Sequence, residues 1–168
     1  MPLERENIRD KDTYDRLGAP SGASLAADIA AVQADTLTLL QLATKSITLS
    51  LAAVPVTETL FTVTGEVEVI VIGYIDTAVT SAGGLTLEAG IAGNTAGLIA
   101  QTAVANLLIN LLWIDATPAV LITRPAVKVI ANGADIIHII ATAAATAGAI
   151  TYYCWWRKLS TDGNVVAV

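Results

Sequence analysis

Two side chains in this sequence are of the types that most often carry catalysis or bind metals, His138 and Cys154, and each type occurs only once. A single histidine excludes a metal site built from several histidines. His138 lies within residues 136–140, an isoleucine run in which strand alternation places it on the face opposite Ile137 and Ile139. This pattern favours a structural histidine, or one at a subunit contact, over a catalytic one.

Cys154 lies within residues 152–156, where the four remaining residues are two tyrosines and two tryptophans. Apolar burial of this kind raises the pKa of a thiol and makes it inert. A Cys–His catalytic pair would require Cys154 and His138 to meet on adjacent strands, and nothing else in the sequence supports it. With one cysteine, no disulfide can form within the chain.

The acidic residues of the later part of the chain are spread over separate predicted strands and turns, and no enzyme constellation can be assembled from them. Glu66 and Glu68 share a strand face, where a weak cation site and a solvated strand edge are the two interpretations, the second being the commoner. The glycine-rich stretches lack the lysine and helix start of a phosphate loop. We therefore predict no enzymatic activity, no cofactor and no metal.

The aromatic cluster at residues 152–156 offers a different kind of site. On one strand Tyr152, Cys154 and Trp156 face one way, and Tyr153 and Trp155 face the other. One set fills the core, which leaves Tyr153 and Trp155 for a neighbouring subunit or for a ligand such as a sugar. We favour the subunit contact, because aromatic residues are enriched at such interfaces.

The amino-acid composition also indicates that this chain has partners. Hydrophobic residues make up 54% of the 168-residue chain and charged residues 14%, against about 45–50% and about 25% in typical domains. A small monomer cannot hide this much apolar surface, so part of it belongs at subunit contacts or in a membrane. Residues 134–156 have the length of a membrane-spanning helix, but Asp135, His138, Gly148 and several threonines favour strand–turn–strand instead.

Charge is concentrated at the N-terminus, where nine charged residues of both signs lie in the first twenty positions. The chain is acidic, with an isoelectric point near 4.5, and it lacks the basic stripe that nucleic-acid binding needs. The N-terminus shows no secretory signal, so we expect the protein to be made and kept in the cytosol until it is released.

Residues 1–20 are predicted to form an extended polar arm that closes on Gly18, Ala19 and Pro20. Residues 21–44 are predicted to form a short helix, with a seam of apolar and small residues at heptad spacing. Two interpretations stay open, a helix packed on its own domain and an oligomerisation stalk, and we favour the stalk. The predicted seam consists of Leu25, Ile29, Val32, Thr36 and Leu39.

Residues 45–168 are predicted to form a mainly β body, a jelly-roll-like β-sandwich, because short runs rich in valine, isoleucine and threonine recur between turns. Asn132-Gly133 predicts a hairpin turn, and residues 97–106 fit either a strand or a short helix. A further turn is expected near Ala147 and Gly148. The predicted strands cover residues 46–52, 59–64, 66–76, 85–92, 107–115, 119–123, 126–131, 136–141, 150–159 and 165–168.

Residues 12–32, DTYDRLGAPSGASLAADIAAV, resemble the DRLGAPxGASxxADIAAVxxD segment of minor structural proteins of tailed bacteriophages. In those proteins it joins a virion-attachment arm to a short helical stalk. Residues 153–165 also look like the closing strand pair of phage accessory proteins.

The resemblance implies a homotrimer displayed on a virion and assembled in the host cytoplasm, with the major capsid protein or another virion protein as partner. We therefore expect a protein of the head-decoration, cement or head-fibre type, and the alternative is a tail-fibre tip that binds a receptor or a carbohydrate. The expected capsid-anchoring residues of the arm are Leu3, Arg5, Ile8, Arg9, Lys11, Tyr14 and Arg16.

Overall fold

A computed structural model describes residues 40–50 and 54–168, which form two antiparallel β-sheets around a shared hydrophobic core. The prediction of a mainly β body is therefore confirmed. The predicted arm at residues 1–20 and the seam from Leu25 to Leu39 lie outside the described residues. Where the structure begins, the first strand starts at Gln41, so the last four positions of the predicted helix, 41–44, are strand. The heptad pattern is already loose there, and alternation suits pairing with a long neighbouring strand.

Sheet A consists of five strands, and its long central strands β9 and β3 pair over most of their length. Alternate residues of both strands point into the core, and β3 is also buried on its other face at Ile70, so that Val69, Ile70 and Val71 form a continuous apolar run. Its strands, in spatial order, are β1 (Gln41–Thr48), β9 (Ala145–Lys158) and β3 (Val67–Ser81), followed by β6 (Leu112–Trp113) and β7 (Lys128–Ile130), which both pair with β3.

Sheet B also consists of five strands and covers the core from the opposite side. Its second strand from the edge carries a bulge between Thr59 and Phe61, so that Leu60 and Phe61 are both fully buried. The strands, in spatial order, are β10 (Asn164–Ala167), β2 (Val56–Thr64), β8 (Ile136–Ala141), β4 (Thr86–Ile91) and β5 (Asn94–Ala103).

The two predicted strands at residues 107–115 and 119–123 are wrong for most of their length. Only Leu112 and Trp113 form a strand, and the rest is loop that carries the chain from sheet B to sheet A. Asn110 has a positive φ of 63°, which interrupts an extended strand. The strands were predicted from the apolar residues of this stretch, but those residues are not all buried in a sheet, and Leu121 is 86% exposed.

Asn132-Gly133 forms a tight turn, with φ of 61° and 62°, but the predicted hairpin is wrong. The strand before it, β7, pairs with β3 in sheet A, whereas the strand after it, β8, pairs with β2 and β4 in sheet B. The chain therefore passes from sheet A to sheet B at this turn. Gly133 donates a backbone hydrogen bond to the carbonyl of Gly65, which holds the turn against the end of β2.

Residues 134–156 form two strands, as the strand–turn–strand prediction has it, and no helix of the described residues is long and apolar enough to cross a membrane. The turn lies at residues 142–144 and not near Gly148, which is inside β9. Thr142 takes the positive φ that the turn needs, at 71°. Residues 97–106 combine both predicted alternatives, because β5 ends at Ala103 and a 3-10 helix, Val104–Asn106, follows.

Candidate functional site

His138 lies fully buried on the inner face of β8, with Ile136 and Ile140, and the predicted placement opposite Ile137 and Ile139 is confirmed. Its neighbours in sheet B are Glu58 on β2 and Ala89 on β4. The side chain crosses the sandwich and reaches Tyr152 on β9 of sheet A.

Three side chains form a polar cluster, which we call the histidine cluster: His138 and Tyr152 are fully buried between the sheets, and Glu58 has a side chain that is 42% exposed. The imidazole Nδ1 lies 3.2 Å from the Tyr152 hydroxyl oxygen. The other ring nitrogen, Nε2, lies 3.3 Å from Oε2 of Glu58, close enough for electrostatic attraction but not aligned for a hydrogen bond. Neutral imidazole with its hydrogen on Nε2 suits both neighbours, because Nδ1 then accepts from the tyrosine hydroxyl.

Burial governs the acid–base chemistry of the cluster. Desolvation lowers the pKa of His138, and the charge of Glu58 offsets only part of that effect. The pKa of Tyr152 is raised well above its ordinary value, first by burial and then by the Glu58 carboxylate. Both groups are therefore neutral near pH 7, and with His138 and Tyr152 both fully buried the arrangement is suited to joining two sheets.

A second buried polar contact continues from Tyr152, whose ring centre lies 6.1 Å from that of Trp113. The Trp113 indole donates a hydrogen bond of 2.8 Å to the hydroxyl of Thr102 on β5. That hydroxyl in turn lies 2.9 Å from the carbonyl oxygen of Ala100. Trp113 belongs to sheet A and Thr102 to sheet B, so this contact also joins the sheets.

Cys154 is fully buried on the inner face of β9, and desolvation raises the pKa of its thiol to about 12. The predicted burial and inertness of this residue are thus consistent with its surroundings. The hydrogen bond from β9 to His138 is made by Tyr152, two residues before Cys154.

Glu68 and Asp76 lie apart, and each carboxylate has its own partner. Glu68 on β3 forms an ion pair with Arg157 on β9, and the hydrogen bond from Arg157 lowers the pKa of Glu68. Asp76 accepts a hydrogen bond of 2.7 Å from the hydroxyl of Thr151. Residues 40–50 and 54–168 contain no group of three or more histidine, cysteine, aspartate or glutamate side chains placed to hold a metal ion.

Tyr153 and Trp155 lie half-buried on the outer face of sheet A, as predicted. Their rings stack, with centres 5.8 Å apart and planes inclined by 27°. Sheet register places Leu42 of β1 and Ile70 of β3 on either side of Trp155, so that an apolar row crosses three strands, in which Leu42 is 54% exposed and Ile70 is buried. Ile72 flanks Tyr153 in the next row.

A groove of about 360 Å³ runs along this face beside Trp155. Its single charged lining residue among those described is Arg124, which comes from the loop between β6 and β7. The lining consists of Leu40, Ile70, Ile72, Arg124 and Trp155. We call the surface formed by these residues together with Leu42 and Tyr153 the apolar face.

Sequence reasoning found His138, Tyr153 and Trp155 but not their partners. Glu58 and His138 are adjacent only because β2 pairs with β8 in one register. Arg124 reaches the groove from a loop. Neither proximity leaves a signal in the local sequence, because each depends on strand order.

Comparison with family models, with curated proteins and with solved structures gave no match for this chain.

Proposed function

We propose that this protein is a structural component of a tailed-phage virion, which decorates or stabilises the capsid as a homo-oligomer, a trimer, anchored by its N-terminal arm. We infer from the strand order of the two sheets that the body is a jelly roll, and this strand order is the observation that carries the proposal. Jelly rolls are the common architecture of viral capsid domains and also of lectins. The segment at residues 12–32 narrows the choice, because it resembles phage structural proteins.

The strand order supports the jelly roll in detail. An eight-stranded jelly roll interleaves its strands so that the two sheets read 1-8-3-6 and 2-7-4-5. Sheet A here reads β1-β9-β3, then β6 and β7, and sheet B reads β2-β8-β4-β5, with β10 added outside β2. If β6 and β7 are counted as one strand interrupted by a loop, each pair of neighbouring strands corresponds to a neighbouring pair in the jelly-roll order. The sheet change at Asn132-Gly133 is the crossing that this topology requires.

The chemistry of the described residues supports a structural role. His138 and Tyr152 are buried between the sheets, the Cys154 thiol is buried with a pKa of about 12, and Glu68 is paired with Arg157. Several large apolar side chains are exposed, among them Leu42 and Val129 of sheet A, which are 54% and 61% exposed. Apolar patches on a protein surface mark contacts with partners.

The proposal is tested by deleting residues 1–20 and measuring both binding to phage heads and native mass. We expect the full chain to give a species near three times 17.3 kDa in light scattering and to co-sediment with heads that lack it. The deletion should abolish co-sedimentation and leave the oligomer intact. A truncated protein that still binds heads normally would defeat the role given to Arg5, Arg9 and the rest of the arm.

A carbohydrate-binding tip is the second candidate, and the stacked pair Tyr153 and Trp155 is the observation that favours it. Sugars stack on exposed aromatic rings, but they also need several hydrogen-bond partners. Arg124 is the one charged lining residue of the groove, beside Leu40, Ile70 and Ile72, so we rank this function second. Glycan-induced quenching of tryptophan fluorescence that disappears in Trp155→Ala would favour it over decoration.

A further inference from the structure

His138 has one polar neighbour in each sheet, and the two neighbours favour different protonation states of its ring. The hydroxyl oxygen of Tyr152 in sheet A lies 3.2 Å from Nδ1, and this hydroxyl can donate to Nδ1 only while that nitrogen carries a lone pair. Oε2 of Glu58 in sheet B lies 3.3 Å from Nε2, and a carboxylate favours the charged form of a nearby imidazole. The neutral ring is therefore bonded to sheet A, whereas the protonated ring is attracted to Glu58 of its own sheet.

The ring nitrogen Nε2 has no hydrogen bond in this arrangement. It is buried and makes none with the described residues, although the Glu58 carboxylate lies beside it. A buried polar atom without a partner is unfavourable, so the site gains from any change that aligns Nε2–H with the carboxylate. Glu58 and His138 are paired directly in the register of β2 and β8, and the Glu58 side chain is 42% exposed. A rotation of that side chain therefore provides the alignment.

The other titratable groups around His138 leave its protonation to these two neighbours. On β4 the directly paired residue is Ala89, and Glu88 points to the opposite side of the sheet. On β9 the Cys154 thiol is buried, and its pKa of about 12 keeps it neutral. The inner residues of β3 are apolar. Asp135, just before β8, accepts a hydrogen bond from the backbone of β2.

We propose that the histidine cluster is a pH-dependent latch between the two sheets, in which protonation of His138 transfers its bonding from Tyr152 of sheet A to Glu58 of sheet B. In the neutral form the tyrosine hydroxyl donates to Nδ1 and joins the sheets inside the core. A proton taken up in acid occupies the Nδ1 lone pair, so the hydroxyl hydrogen loses its acceptor, while Nε2–H pairs with the carboxylate. Acid therefore weakens the contact between the sheets. The latch belongs to the β body and does not depend on the proposed virion role.

Burial determines the direction in which the latch responds to pH. Desolvation lowers the pKa of folded His138, and the charge of Glu58 raises that pKa by a smaller amount. The folded protein consequently binds the proton less readily than the unfolded chain, whose histidine has a pKa of about 6.5. The latch is closed above that value, and it opens as the pH falls toward the folded-state pKa.

An NMR titration of the full chain tests the two neighbours separately, because the sequence contains a single histidine and the imidazole signals are those of His138. We expect Tyr152→Phe to raise the pKa of His138 and Glu58→Gln to lower it. Each substitution should change the acid dissociation constant by about threefold or more, the value of one net hydrogen bond. Glu88→Gln removes the same charge from the outer face of the sheet, Tyr153→Phe removes an outer hydroxyl, and both controls should leave the constant unchanged. Shifts of the first two variants in the same direction, or no shift, would overturn the latch.

Cys154 reports opening between the sheets, because its thiol faces the same core two residues after Tyr152 on β9. The full chain is labelled with 4,4′-dithiodipyridine, which reacts with thiols in acid as well as at neutral pH, and each native rate is divided by the rate in urea at the same pH. Between pH 7.5 and 5 this ratio should rise several-fold, up to about thirtyfold, the limit for one group with an unfolded-state pKa of about 6.5. In His138→Gln the ratio should stay flat. A flat ratio in the unsubstituted protein, or an equal rise in the variant, would contradict the proposal.

Discussion

Replacing Tyr152 with phenylalanine removes one oxygen from the centre of the sandwich and tests whether the histidine cluster stabilises the fold. The aromatic ring remains, together with its edge-to-face contact with His138 at 5.9 Å and its contact with Trp113. The lost group is the hydroxyl that lies 3.2 Å from Nδ1 of His138. The change therefore isolates a single hydrogen bond.

The expected loss of stability follows from the burial of His138. His138 is fully buried, so without the hydroxyl its Nδ1 has neither water nor a protein partner. Leaving a buried polar group unpaired costs about 1–3 kcal/mol, more than the net value of an ordinary hydrogen bond. The sign does not depend on the tautomer, because an orphaned N–H and an orphaned lone pair are both unfavourable.

The assay is urea unfolding at pH 7.5, followed by tryptophan fluorescence, with Tyr153→Phe as the control. Tyr153 is the next residue of β9 on the outer face, and the described residues give its hydroxyl no hydrogen bond. We expect Tyr152→Phe to lower the free energy of unfolding by about 1–3 kcal/mol and the control to stay within about 0.5 kcal/mol. Equal stability of the two variants would refute the claim that the cluster joins the sheets.

The remaining predictions concern pH, turn geometry and thiol reactivity. Because the folded-state pKa of His138 is lowered despite the neighbouring Glu58, its contribution is complete above about pH 6.5 and is lost as the pH falls toward the folded value. The slope should reach at most about 1.4 kcal/mol per pH unit, and His138→Gln should flatten urea midpoints measured between pH 7.5 and 5. Gly133→Ala should destabilise the fold by about 1–2 kcal/mol, because φ is +62° and the added Cβ would lie 3.0 Å from a carbonyl oxygen of β2. Gly84 has open space around it, so Gly84→Ala is the control and should leave stability nearly unchanged. Thermal melts of both variants measure the difference. Cys154 should resist Ellman's reagent in the native protein and react fully in urea, and rapid native labelling would contradict its burial.

The class of fold could be predicted because the strands alternate over long runs. On β9 the pattern from Tyr152 to Trp156 determines which side chains point into the core, and the structure places them so. Short, isolated apolar stretches were less informative. Leu108 and Ile109 resemble strand residues but are 54% and 52% exposed, because Asn110 turns the chain and no neighbouring strand pairs with them.

Contacts between strands distant in sequence could not be predicted from local pattern. The pairing of β2 with β8 brings Glu58 beside His138, and the pairing of β3 with β9 brings Glu68 beside Arg157. Register is set by turn geometry and by the fit of the whole core. For the same reason Asn132-Gly133 was recognised as a turn but assigned to the wrong pair of strands.

Because side chains alternate along β9, this one strand both joins the two sheets and presents an aromatic pair on the outer face of sheet A. Its inner residues fix the sandwich, since Tyr152 bonds to His138 of sheet B and is packed against Trp113. Its outer residues, Tyr153 and Trp155, form the centre of the apolar face. A one-residue slip of β9 would exchange the two sets, exposing Tyr152 and burying Trp155. The buried hydrogen bond to His138 disfavours that slip, and so it also keeps Tyr153 and Trp155 on the outer face of sheet A.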